Sequence, residues 1–404
     1  VQRLILRWYK PPWRSTKRNL LSAHPSRFVL LAALLLAAVN LRPAITSLSP
    51  VIERIAEELA LSRAFISLST ALPVLCMGLL APLAPRLALR FGLVRTVLGC
   101  LLLIAIALLL RLAAHIPALL IGTALLAGSA IAVAGPLLSG FVKQHFAWQS
   151  GGILAAFSLA MAIGGASGAV LGLPVTHLFG NDWRLGLSFW VLPALLAALL
   201  WFRLPNTRPE TGVQSGSLPW HSARAWLITG FFAVQAGLFY ALATWLLARY
   251  LEVGFTDLRS HFLFDAFMLV SLPSAWILPW LAQRLNAHYP LLLLSALCSL
   301  LCLAFITFFP LLWPELFALL LGFGLSGSFA LSLVLPLYEA HSPLEVSRLS
   351  AMMLCAGYSL GSLTPILLGA GRDLFGNYQM PFLLLCLFAL LLSALAVGLQ
   401  PRKH

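Results

Sequence analysis

Residues 28–49 read FVLLAALLLAAVNLRPAITSLS, an uncharged apolar run into which Asn40, Arg42 and Pro43 are set. A hydrocarbon core of about 30 Å needs roughly 20 apolar residues of helix, so this run is long enough to cross one. If the helix enters at about residue 28, Arg42 lies about 14 residues in, or about 21 Å at 1.5 Å per residue. That is near the bilayer middle, where a guanidinium costs at least about 2.5–3.5 kcal/mol unless it is paired or faces water. Pro43 removes a backbone donor and can open the helix beside it.

The rest of the chain repeats the pattern. Of its 404 residues 61% are hydrophobic and 9% charged, against roughly 25% charged in soluble domains, which excludes an ordinary soluble enzyme. Apolar segments recur at about 28–49, 65–87, 95–114, 117–142, 151–178, 184–203, 223–250, 262–283, 289–310, 313–338, 347–371 and 379–400. The spacing predicts an all-α polytopic membrane protein with twelve transmembrane helices in two six-helix bundles. The expected organisation is a basic tail over 1–27, a first bundle over 28–203, a loop over 204–222, a second bundle over 223–400 and a terminus over 401–404.

A net charge of +14 in a soluble chain would suggest nucleic acid. In a membrane chain it reports topology, because cytoplasmic loops collect Lys and Arg. With the amino terminus inside, the external segments hold Arg54, Arg63, Arg111, Arg184, Arg249, Arg259 and Arg372; the other basic residues, apart from Arg42, fall inside. Both termini are therefore expected in the cytoplasm of a bacterial-type inner membrane, with the tail read as cytoplasmic rather than as a secretory signal. Cys76, Cys100, Cys298, Cys302, Cys355 and Cys386 lie in apolar runs and read as buried thiols.

The two sets of six are related. Pro85-x-Leu87-Ala88-x-Arg90 returns as Pro279-x-Leu281-Ala282-x-Arg284; Gly122 and Pro136 match Gly322 and Pro336; Leu178-Phe179-Gly180-Asn181 matches Leu374-Phe375-Gly376-Asn377. Three matches in one order at nearly one offset point to duplicated halves, an arrangement typical of secondary transporters with a central site.

Within that frame Arg42 reads as the positive end of a site for an anion or strongly dipolar solute, held by its planar donor fork. The competing reading is an arginine satisfied by carbonyls at the helix break, or one that snorkels outward. Asn40 and Gln235, which share the repeat register, are expected to offer hydrogen bonds. Tyr240 and Trp245 are expected as walls or gates, an interfacial belt position being the other reading of Trp245. Tyr358 is a weaker site candidate. Gly164, Gly168 and Gly172, and Gly357 with Gly361, have the four-residue spacing that lets helices approach closely.

Histidines and cysteines show no ligand spacing, there is no Walker loop, and no nucleophile motif stands out. No catalytic residue, metal or cofactor is expected. The expected partners are a small-molecule or small-anion substrate and the lipid bilayer, with no nucleic acid, and the chain is expected to act as a monomer.

The run Arg90-Phe91-Gly92-Leu93-Val94-Arg95 between the second and third spans, together with the duplicated six-helix halves, resembles the major facilitator superfamily. Asn40-Leu41-Arg42-Pro43-Ala44, Leu72-Pro73-Val74-Leu75-Cys76, Gly78 through Pro85, Phe239-Tyr240, Thr244-Trp245-Leu246, and Leu349 through Tyr358 resemble its cyanate permease and 2-nitroimidazole transporter branch. The resemblance implies alternating access, with Arg90, Gly92, Arg95 and, by the repeat, Arg284 in the gating loops. It implies transport of a cyanate-like solute or export of nitroimidazole-like aromatics; a sensor with a transporter fold is the rival outside transport. The chain departs from the superfamily loop pattern at Leu89, where an Asp is usual, and at Pro85, where a Gly is usual. Thr123 stands where proton-coupled antiporters carry an Arg, so the resemblance does not extend to proton coupling.

Overall fold

The computed structural model describes residues 26–146, 150–206, 217–340 and 342–400. Nearly all of the expected basic tail, most of the loop over 204–222 and the terminus 401–404 lie outside them. The described chain is helical, with eleven helices long and apolar enough to cross a membrane, or twelve when one bent pair counts as a single span. In chain order these are α1 (Arg27–Glu58), α2 (Arg63–Leu79 with Leu83–Phe91), α3 (Leu93–Ala113), α4 (Pro117–His145), α5 (Gly152–Leu178), α6 (Trp183–Phe202), α7 (Ala223–Val253), α8 (Asp257–Arg284), α9 (His288–Phe308), α10 (Pro314–Glu339), α11 (Leu344–Phe375) and α12 (Gln379–Leu399).

One apolar core is built from α1–α6, among them Leu34, Val97, Leu138 and Trp201; a second is dominated by α7–α12 and takes in the far part of α1 and α2. We call the end carrying Arg27 and Leu399 the terminal face and the opposite end the distal face.

Two spans differ from the simple expectation. The first is longer and is broken into Arg27–Val39, Pro43–Thr46, a 3-10 turn at Ser49–Val51, and Ile52–Glu58. Pro43 and Pro50 each open a segment, where a missing N–H costs nothing, so the chain continues past residue 49. The second bends by 71° between Leu79 and Leu83, at Ala81-Pro82.

The first and last six spans meet at the distal face. Asp373 accepts from the backbone N–H groups of Arg63 (2.9 Å) and Ala64 (2.8 Å), capping α2 from across the molecule. Ser67 Oγ donates to the Pro365 carbonyl at 3.0 Å, the Thr244 and Thr70 hydroxyls stand 3.2 Å apart, and Tyr378 bonds Glu53. Glu53 also holds Arg63 at 2.8 Å. The distal face is closed by these contacts.

Candidate functional site

The break in α1 sets the geometry. The Arg42 carbonyl accepts from the N–H groups of Ile45 (2.9 Å) and Thr46 (3.1 Å), which turns the chain tightly just after the arginine. The Arg42 stem then lies across Gly165 of α5, where an added Cβ would stand 3.4 Å from Arg42 Cδ. Its guanidinium is within electrostatic reach of the phenols of Tyr240 on α7 and Tyr358 on α11. Arg42 is half-buried, and among the described residues its guanidinium makes no hydrogen bond or ion pair. The hydroxyls of Tyr240 and Tyr358 likewise bond no described residue, although both side chains are buried. Three donors from three spans thus converge without a protein acceptor.

Aromatic rings form the wall behind them. The Tyr240 and Tyr358 rings lie 6.4 Å apart; Phe232 packs edge-on against Tyr358 at 5.0 Å, Phe239 against Tyr240 at 5.6 Å, and Phe329 lies 5.7 Å from Phe232.

Other expected site residues are placed elsewhere. Asn40 spends its amide protons on Leu36 (2.7 Å) and Pro193 (3.0 Å), tying the broken helix to α6. Gln235 is fully buried and donates to the Leu325 carbonyl at 2.9 Å, joining α7 to α10 rather than facing Arg42. Trp245 is fully buried, donates to the Pro365 carbonyl at 3.0 Å and packs on Tyr378 at 5.5 Å. It belongs to the distal seal, not to an interfacial belt.

The glycines pack within each set of six. In α5, Gly164 faces the Val39 carbonyl, Gly168 lies 2.9 Å (as an added Cβ) from Pro43 Cα, and Gly172 is 3.3 Å from the Ser47 carbonyl, so the stripe grips α1 along its break. In α11, Gly357 seats against Phe232, and Gly361 lies against the Ala233 carbonyl and Gly237 N of α7. These seams join spans within a set and are not sliding faces between sets.

In the gating loop Gly92 takes a φ of +89°, which a side chain resists. Asn206, beyond α6, braces it by accepting from Arg95 N at 3.2 Å and donating to the Phe91 carbonyl at 3.0 Å. This amide stitches the loop that lacks the usual Asp. Arg90 stacks on Phe91 at 5.2 Å and Arg284 on Trp280 at 5.2 Å.

Two charged residues are deeper than the sequence suggested. Arg111 and Arg249, expected in external segments, are buried within α3 and α7; Arg249 pairs with Glu252 at 3.1 Å. Asp265 also stands two turns inside α8, without a hydrogen bond or ion pair among the described residues. Gly165 and Asn206 carry no local signal in the sequence, because what they do depends on partners far along the chain. The arrangement can bind and release a solute; no group of three or more His, Cys, Asp or Glu that could hold a metal occurs among the described residues.

Comparison with known proteins gives a consistent picture. Over 380 residues the chain is 30% identical to the uncharacterized transporter YycB of Bacillus subtilis (strain 168), covering 92% of this chain and 93% of that one. It is 29% identical to the cyanate transport protein CynX of Escherichia coli (strain K12), covering 91% and 96%, and 28% identical to the 2-nitroimidazole transporter of the same organism, covering 91% and 94%. Among solved structures, a bacterial homolog of the human lysosomal transporter Spinster, in an inward-facing and occupied conformation, superposes with a TM-score of 0.79 at 15% identity, covering 92% and 96%. A D-xylose-proton symporter gives 0.77 at 13% identity, covering 93% and 98%. The model of the Major Facilitator Superfamily matches residues 29–365, and the chain belongs to that superfamily.

Proposed function

We propose that this transporter carries a small anionic or strongly dipolar, cyanate-like solute through a site built on Arg42, Tyr240 and Tyr358. The observation that carries this reading is the unpaired Arg42 guanidinium facing two unpaired phenols. An intramembrane cation without a protein acceptor needs a ligand or water to satisfy it, and a planar fork suits a planar or linear anion. The names of two relatives, a cyanate transport protein and a 2-nitroimidazole transporter, support solutes of this size.

The closed distal face supports alternating access, with the proposed site reached from the terminal face in this state. We place both termini in the cytoplasm of a bacterial inner membrane. Arg63, Arg184, Arg249 and Arg259 at the distal face sit beside carboxylates; at the terminal face Arg224 pairs with Glu339 at 2.6 Å, but Arg86, Arg90 and Arg95 make no ion pair among the described residues. The monomer is a sufficient unit, because the site draws on α1, α7 and α11 of one chain.

The aromatic wall favours a second reading, export of nitroimidazole-like compounds. Uptake by cells expressing the protein, compared with efflux from preloaded cells, separates the two directions. The primary test is flux of cyanate into proteoliposomes. Substrate-dependent flux lost in Arg42→Ala is expected; unchanged flux after both Arg42→Lys and Arg42→Ala removes the assignment, and binding without flux favours a sensor.

A further inference from the structure

Arg111 stands at the far end of α3 and is fully buried. Its Nη2 donates to the Ala44 carbonyl at 2.8 Å, while Nε and Nη1 have no hydrogen-bond partner. A buried cation left with unpaired donors is an unfavourable way to fill a core, and apolar replacements of similar volume are often neutral or stabilising. Its one bond, however, is placed two residues after Arg42.

In a continuous helix the Ala44 carbonyl would accept from Leu48 N–H, four residues on. Here Leu48 N turns to the Ile45 carbonyl at 3.4 Å, and Ala44 is left for Arg111. A charged donor makes the stronger bond, so it competes well against closure of the turn. The broken segment thus has two holds: the α5 glycines against Val39, Pro43 and Ser47, and Arg111 on Ala44.

We propose that Arg111 is a positioning residue for Arg42: by taking the Ala44 carbonyl it keeps α1 open after Thr46, holds the short Pro43–Thr46 turn in place, and so directs the Arg42 guanidinium at the start of that turn toward Tyr240 and Tyr358. The inference rests on the reading of Arg42 given above. Loss of Arg111 lets the Pro43–Thr46 turn extend by closing Leu48 N onto Ala44, which shifts the turn and withdraws the Arg42 charge from Tyr240 and Tyr358.

The test does not require the natural solute. In purified full-length protein with Cys76, Cys100, Cys298, Cys302, Cys355 and Cys386 replaced by alanine, Tyr358→Cys is labelled by a negatively charged sulfonate and by a positively charged trimethylammonium methanethiosulfonate. The ratio of the two rates reads the positive charge in the cavity. Arg42→Gln is the reference and is expected to lower the ratio at least threefold; if it does not, the reading of Arg42 itself fails. With that drop in place, Arg111→Met is expected to lower the ratio toward the Arg42→Gln value while unfolding no more than a few degrees below the parent, and Arg111→Lys is expected to recover part of it. A ratio unchanged in folded Arg111→Met overturns the proposal. If Arg111→Met gives no folded protein, Arg111→Lys decides: its single ammonium lacks the reach of the fork, so about a twofold fall is expected and an unchanged ratio overturns the proposal.

Discussion

At the scale of single residues, the site depends on which polar groups are left without partners. Arg42, Tyr240 and Tyr358 keep free side-chain donors, while Asn40, Gln235 and Trp245 direct theirs at backbone carbonyls. Arg42→Lys keeps the charge but loses the fork, so KM for cyanate in proteoliposomes is expected to rise about tenfold, equivalent to about 1.4 kcal/mol. Tyr358→Phe removes one neutral donor, worth about 1 kcal/mol, and should raise KM about fivefold with little change in maximal rate. Gln235→Leu is expected to leave KM unchanged and to shift thermal unfolding by only a few degrees. The Leu325 carbonyl that Gln235 serves is also bonded by Ser328 Oγ at 2.8 Å, so the substitution strands no acceptor. A tenfold rise in KM for Gln235→Leu would return that amide to the site.

At the scale of the element, the break in α1 and the glycine stripe of α5 act together. Gly168 meets Pro43 and Thr46 so closely that a larger side chain must push the helices apart. Gly168→Leu is expected to destabilise by about 1–3 kcal/mol, as overpacking does, and to lower the unfolding temperature together with flux. Gly165 differs, since a Cβ there makes only ordinary contact with the Arg42 stem. Gly165→Ala should therefore transport normally, whereas Gly165→Leu should raise KM with little loss of stability, because it displaces the arginine rather than a helix. Equal effects of Gly165→Ala and Gly165→Leu in the same flux assay would show that the stem does not lie there. The paired packing of α11 on α7, through Gly361 against Gly237, repeats the α5–α1 seam without the arginine. The related halves are thus asymmetric at the position proposed to bind the solute.

At the scale of the whole molecule, the distal seal is the element that, in the proposed transport cycle, sets which side of the membrane the site sees. Asp373 is its most exposed electrostatic element, because a carboxylate at the start of α2 complements the free N–H groups there. Asp373→Asn removes the charge at the helix start and should weaken the seal by up to about 1 kcal/mol, shifting the population toward a distal-open state by up to about fivefold. A cysteine placed at Ser67, buried in this seam, should then react several-fold faster with a membrane-impermeant thiol reagent added to intact cells. No acceleration would mean that Asp373 does not hold the seal, and reaction only from the cytoplasmic side would reverse the orientation proposed for the chain.

The all-helical, twelve-span character was determined by local sequence, since each helix in a membrane must satisfy its own backbone and must be apolar over about 20 residues. The arginine-proline break was also legible, because Arg42 and Pro43 are anomalous in their own run whatever surrounds them. Span ends were less so: Arg111 and Arg249 read as loop residues because a charge in an apolar run marks a boundary unless a partner buries it, and those partners, Ala44 and Thr307, lie far along the chain. The same holds for Gly165 under the Arg42 stem and for Asn206 behind Gly92. Local composition decides whether a segment enters the membrane, but the direction of a polar side chain within it is decided by the nearest available acceptor, and only the packed structure determines where that acceptor is.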